Sequence, residues 1–242
     1  MPLLLAAALD PAQEVRRFAA ASLPAARPLP QARQALARLT RDGDKKARLL
    51  AVIGMLEIFE GAEGHDTTTP VVPDAVPSDD GLPPITWLID GAGKALRDPG
   101  LAHAATRALG LCGHPAAKAP LTRLARKLLG DPFVKLEAAA SLVRLGDDSH
   151  APALIKAVQG RKRMLRPMAA ALLGELKILD GRAALEQMLL DPREPHAYTA
   201  AEALAELGEA AATPALTRAA DTHPDPETRE AARKALEILE AI

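Results

Sequence analysis

Thr199-Ala-Ala-Glu-Ala-Leu204 is the stretch on which the fold turns, because the chain repeats it. Upstream stand Phe18-Ala-Ala-Ala-Ser-Leu23, Ala51-Val-Ile-Gly-Met-Leu56 and Ala104-Ala-Thr-Arg-Ala-Leu109, then Glu137-Ala-Ala-Ala-Ser-Leu142 and Met168-Ala-Ala-Ala-Leu-Leu173. Ala231-Ala-Arg-Lys-Ala-Leu236 follows downstream. The closing leucines are 33, 53, 33, 31, 31 and 32 residues apart. A fixed period of this size marks a solenoid of helical hairpins, in which no hairpin buries its apolar face alone. Composition agrees. The 242 residues are 48% hydrophobic but only 2% aromatic, so Leu, Ile, Val and Ala must fill the core. Ala has the best helix propensity and lets backbones approach, whereas a β-sandwich draws on β-branched and aromatic residues. The expectation is an all-α protein, an α-solenoid of about six to seven stacked helical hairpins, in one domain over residues 1–242.

Each repeat reads as two amphipathic stretches. Asp10-Pro11, Asp98-Pro99, Asp131-Pro132, Asp191-Pro192 and Asp225-Pro226 are expected to open first helices. Asp would accept the free N–H groups, and Pro has no N–H to lose at the first helical position. Gly110, Gly146 and Gly208 are expected to close them in the left-handed conformation. Second helices follow, as in Ala151-Pro-Ala-Leu-Ile-Lys-Ala-Val158 and Ala212-Thr-Pro-Ala-Leu-Thr-Arg-Ala219.

These features resemble the HEAT-repeat superfamily, and more narrowly the short HEAT-like repeats first noticed in phycobilin lyases. Asp10-Pro-Ala-Gln-Glu-Val-Arg-Arg17 is similar to the acidic-Pro and Val-Arg opening. Asp191-Pro192 with Ala200-Ala-Glu-Ala-Leu-Ala-Glu-Leu-Gly208 is similar to opening and core together. Arg161-Lys-Arg-Met-Leu-Arg166 departs from the pattern, having no Asp-Pro. Tetratricopeptide repeats need aromatic residues that are missing here, and the Thr-Pro-Leu-His of ankyrin repeats does not occur. The resemblance implies a superhelix whose second helices line the concave side. It also implies three kinds of role: a protein-binding scaffold, a lyase-like or chaperone-like subunit for a tetrapyrrole-carrying protein, and a nucleic-acid binder.

Two places break the pattern. Residues 61–84 supply the extra 20 or so in the long interval. They are rich in Pro and read as a loop insertion between the two helices of one hairpin. Trp87, just beyond, is expected to be partly buried. Leu3-Leu-Leu-Ala-Ala-Ala-Leu9 reads as the end of a second helix without its partner, whereas the last helix, Pro226 to Ile242, is charged on one side as a cap would be.

Lys+Arg is 30 and Asp+Glu is 31, so bulk charge gives no push toward nucleic acid. The distribution is uneven. Residues 118–182 hold 13 basic and 6 acidic side chains, and residues 183–242 hold 5 and 12. Arg123, Arg126, Lys127, Lys156, Arg161, Lys162, Arg163 and Arg166 dominate the basic stretch. They are the candidate contacts for a protein partner with an acidic surface or segment.

Chemistry is sparse. The six histidines are scattered, no His-x-x-x-His occurs, and no His-Glu dipeptide exists such as repeated iron sites in HEAT-like hydroxylases use. Phosphate-binding Gly motifs and Gly-x-Ser-x-Gly are absent. A lone cysteine, Cys112, excludes an internal disulfide and reads as a small core residue. One Trp and one Tyr are a poor supply for gripping bases. The expectation is a non-catalytic protein with no cofactor and no metal, bound to a protein and not to a membrane. Met1–Leu9 has no basic residue and runs straight into Asp10-Pro11, so a cytoplasmic location is expected.

Overall fold

The computed structural model describes residues 1–26, 29–58, 83–127 and 129–241. The expected insertion at 61–84 therefore lies almost wholly outside the described residues. The chain divides into two compact units, Met1–Gly130 and Asp131–Ile242. All regular structure among the described residues is helical, as the repeat requires.

The first unit holds α1 (Pro2–Ala7), α2 (Gln13–Ser22), α3 (Leu29–Leu39), α4 (Lys45–Ile58), α5 (Ile85–Ala95), α6 (Ala102–Leu111) and α7 (Lys118–Ala125). First helices stack on first helices: α2 on α4, and α4 on α6. The helices α3 and α5 lie against α4, and α1 covers α2 and α3. The second unit holds α8 (Pro132–Arg144), α9 (Ala151–Gln159), α10 (Arg166–Glu175), α11 (Arg182–Leu189), α12 (Ala197–Leu207), α13 (Thr213–Thr222) and α14 (Pro226–Glu240). Here α10 packs on α12 and α12 on α14, while α9, α11 and α13 form the second layer.

The repeating leucines are the core. Leu23, Leu56 and Leu109 in the first unit, and Leu142, Leu173 and Leu204 in the second, are each 0% exposed. Full burial of such a side chain is worth about 1.5–3 kcal/mol. Leu236, on the last helix, is only partly buried. Alanines close the gaps: Ala19 and Ala20 on α2 and Ala200 and Ala201 on α12 are buried on first helices that stack on their neighbours, and Ala138 and Ala140 are buried on α8.

The Asp-Pro openings turn out to be of two kinds. Asp131 accepts from the Phe133 N–H at 2.8 Å and Asp225 from the Thr228 N–H at 2.8 Å, each with Pro as the first helical residue. At Asp10, Asp98 and Asp191 the carboxylate accepts from the N–H two residues on, as that of Asp131 does, at 2.8, 3.0 and 3.0 Å, but the helix starts later. These three close turns ahead of a helix and do not cap it. The glycine stops also need one correction. Gly146 and Gly208 are left-handed at φ 77° and 73°, as expected. Gly110 lies inside α6, and the left-handed residue after that helix is Gly113 at φ 67°.

An arginine in three of the first helices and one at the start of a fourth ties down the loop before it. Arg16 donates to the carbonyls of Asp10 and Pro11, Arg48 to those of Asp42 and Gly43, and Arg229 to those of His223 and Pro224. Arg166, at the start of α10, donates to Gly160 O at 3.0 Å. Each arginine stands six residues after the first carbonyl it holds. Two of the four also reach the next loop. Arg16 takes both oxygens of Asp42 at 2.7 and 3.0 Å, and Arg166 takes Glu194 at 2.7 Å. The Val-Arg of the repeat opening is thus a staple between consecutive loops.

Asp44 extends this scheme. Its Oδ2 accepts from the Ala47 N–H at 2.7 Å, and its two oxygens hold the Arg17 guanidinium at 2.8 Å. That guanidinium, and after it the backbone N–H donors, keeps the Asp44 carboxyl well below the usual carboxylate range. The unfolded chain binds this proton more readily than the folded one. The stabilisation is therefore complete above the unfolded carboxylate value of about 4 and is lost as pH falls toward the lower folded value. Asp44→Asn is expected to flatten the fall of melting temperature between about pH 5 and pH 2. An acid limb as steep as wild type in circular-dichroism melts would reject this account.

Candidate partner-binding surfaces

The sequence-derived candidates fall in both units. On the first, Arg123 sits on α7 and is exposed, Arg126 caps its C-terminus, and Lys127 follows. On the second, Lys156 projects from the exposed side of α9, and Arg161, Lys162 and Arg163 occupy the exposed turn between α9 and α10. These are second helices and the turns after them.

Their bonding separates them sharply. Among the described residues, Arg126, Lys127, Lys156, Arg161 and Lys162 take part in no ion pair. Arg123 makes only a long 3.4 Å bond to Ala119 O on its own helix, and Arg163 donates to Arg193 O at 3.1 Å. Arg166 differs from the rest. Its side chain is 17% exposed and bonded to Glu194, whose side chain is 0% exposed and also accepts from the His196 N–H. The remaining candidates offer charge to solvent, whereas Arg166 spends its charge inside the fold.

A cleft accompanies each group. In the first unit, α5 and α7 flank a space of about 640 Å³. Lys94 and Arg97 stand on the α5 side, Arg123 and Lys127 on the α7 side, over a floor that includes Ile89 and Leu124. Asp90 also lines it and pairs with Lys94 at 2.8 Å. In the second unit, α9 and α11 flank about 440 Å³, lined by Val158, Gln159, Arg166, Gln187, Met188 and Asp191. Met164, beside the basic turn, is 63% exposed. Sequence reading missed Lys94 and Arg97. A signal was present: Lys94 and Lys127 stand 33 residues apart, the same interval as Leu109 and Leu142.

Trp87 on α5 is 39% exposed and so stands among the exposed large apolar side chains, where partial burial was expected. Burial pushes the Cys112 thiol up, and its Sγ donates to Leu109 O at 3.1 Å. Less thiolate at neutral pH makes this thiol a weaker nucleophile than a free one. Among the described residues no group of three or more His, Cys, Asp or Glu could hold a metal ion. None of the described helices is long and apolar enough to cross a membrane.

Stacked helical hairpins with exposed cations on their second helices define an α-solenoid repeat protein. A family model described as HEAT repeats matches residues 85–166 and 151–237, and the chain belongs to that family. Among solved structures, human deoxyhypusine hydroxylase in complex with glycerol is 16% identical, with 100% of this chain and 96% of that one covered and a TM-score of 0.37. An engineered protein is 20% identical over 86% of this chain and 96% of its own, with a TM-score of 0.44. A designed armadillo repeat protein is 18% identical over 98% and 99%, with a TM-score of 0.37. No curated protein matches the chain.

Proposed function

We propose that this HEAT-repeat chain is a non-catalytic interaction scaffold whose partner is a protein with an acidic surface or segment. One observation carries the reading: among the described residues the exposed Arg126, Lys127, Lys156, Arg161 and Lys162 have no acidic partner, while Arg16, Arg17, Arg144 and Arg166 are all consumed by internal pairs. Unpaired surface charge steers association with a surface of opposite sign. The short lyase-type repeat belongs to the same proposal, supported by Asp10–Arg17 and the repeat interval.

The test is capture from lysate by the intact chain and by two charge-reversed variants, with and without nuclease. One carries Arg161→Glu, Lys162→Glu and Arg163→Glu. The other carries Arg123→Glu, Arg126→Glu and Lys127→Glu. Arg166 stays intact in both, because its loss would unfold the staple. At least one variant is expected to lose a specific protein by about tenfold or more, with no effect of nuclease. Capture unaltered by either variant, or of nucleic acid alone, or of a pigment-bearing subunit alone, would reject the scaffold reading.

A further inference from the structure

The cleft between α5 and α7 is more than a place where cations gather. Its space of about 640 Å³ falls within the range of about 300–1,000 Å³ typical of ligand sites. Among the described residues, four of its lining side chains are cationic and one is anionic. That anion, Asp90, is 65% exposed and its Lys94 partner 64%, so their pair is screened by water and easily exchanged for another carboxylate. Between the charged rims the floor is apolar and small: Ile89, Leu96 and Leu124 are half-buried, and Ala119 and Gly93 leave the gap open. A Cβ added at Gly93 would meet nothing within 4 Å.

We infer that this cleft docks an extended acidic segment of a partner protein, its carboxylates on the rims and an intervening apolar side chain on the floor. The inference rests on the scaffold reading and gives it one address. An extended chain turns successive side chains to opposite sides, which suits rims of one character and a floor of another. A helix about 10–12 Å wide would exhaust the space in roughly one turn. A nucleic-acid strand fits less well. It would use the cations but not the apolar floor, and among the described residues no aromatic side chain lines the cleft to stack on a base.

Gly93→Leu is the decisive substitution. It puts a side chain into the open space, and replaces the poorest helix former short of Pro with a good one, so the fold is not weakened. The probe is an array of peptides with Asp or Glu at alternate positions and varied residues between. The wild-type chain is expected to bind members with an apolar residue between the acids. Gly93→Leu is expected to weaken the best of them by about tenfold or more without lowering the melting temperature. The pair Arg97→Glu and Arg123→Glu is expected to do the same and to flatten the salt dependence. The Arg161, Lys162 and Arg163 reversal in the other unit is expected to leave array binding unchanged. Failure of the wild-type chain to bind any member would overturn the proposal. So would wild-type affinity in Gly93→Leu, or displacement of the peptide by single-stranded DNA at lower concentration than by free acidic peptide. Should lysate capture fall with the Arg161–Arg163 reversal while Gly93→Leu changes nothing, the cleft is rejected and the scaffold stands. Capture indifferent to both charge reversals rejects the scaffold itself.

Discussion

Arg166→Met is expected to destabilise the second unit by about 3–5 kcal/mol, the usual cost of removing one partner from a buried ion pair. The Glu194 side chain has no exposure, and Arg166 meets it at 2.7 Å while also holding Gly160 O at 3.0 Å. Met matches the arginine stem in bulk but returns nothing to the carboxylate. Among the described residues Glu194 would keep only its long 3.3 Å bond from the His196 N–H. The Gly160 carbonyl would lose its donor as well. The double variant Arg166→Met, Glu194→Met removes the stranded charge and is expected to recover a large part of the loss. Urea titration at constant m-value would measure both. A single variant within about 1 kcal/mol of wild type would mean that the pair is merely decorative. The same variant separates two roles for Arg166. A contact residue would weaken partner capture at unchanged stability, whereas a staple weakens capture only as the fold fails.

The second large effect is expected at Gly174, where α10 crosses α12. A Cβ there would lie 2.9 Å from Ala203 Cα, 3.1 Å from Ala203 O and 2.6 Å from the Glu206 carboxylate. Two of those three atoms are backbone, which cannot swing aside as a long side chain can. Gly174→Val is therefore expected to cost about 2–3 kcal/mol through forced separation of the two helices, despite the poor helix propensity of the glycine it replaces. Gly93→Ala is the internal control. It sits in open space and is expected to be neutral or to gain up to about 1 kcal/mol. Thermal melts of the two variants should move in opposite directions or differ by several degrees. Equal shifts would show that Gly174 is set by propensity and not by contact.

Much of the fold was legible because the leucine interval is a direct image of the packing. Leu142, Leu173 and Leu204 are read from the pattern and found at zero exposure. Charge and turn chemistry were less legible, for a physical reason. A repeat shows which residues are equivalent but not which partner each finds across to the next repeat. Arg166 reads like its neighbours Arg161 and Arg163, and only the fold brings Glu194, 28 residues on, against it. The same holds for Asp10 and Asp225, alike in sequence, one closing a turn and the other capping a helix. The α5–α7 cleft was missed although Lys94 and Lys127 stand 33 residues apart, because the interval shows that the two positions are equivalent but not that the helices carrying them flank a space.

The arginine staples also divide the connections into those that can be rewritten and those that cannot. Each staple clamps the turn leading into a first helix, at Asp10–Pro11, Asp42–Gly43, Gly160 and His223–Pro224. Among the described residues, no arginine clamps the carbonyls of a turn inside a hairpin, although Arg182 reaches the Glu209 carboxylate in one such turn at 3.1 Å. Foreign sequence spliced in at Asp147 between α8 and α9 would leave every staple hooked. The same splice at Arg161 would change the length of chain that lets Arg166 reach back to Gly160. For anyone wishing to equip this solenoid with a new loop, the hairpin tips are the sockets and the turns between hairpins are the frame.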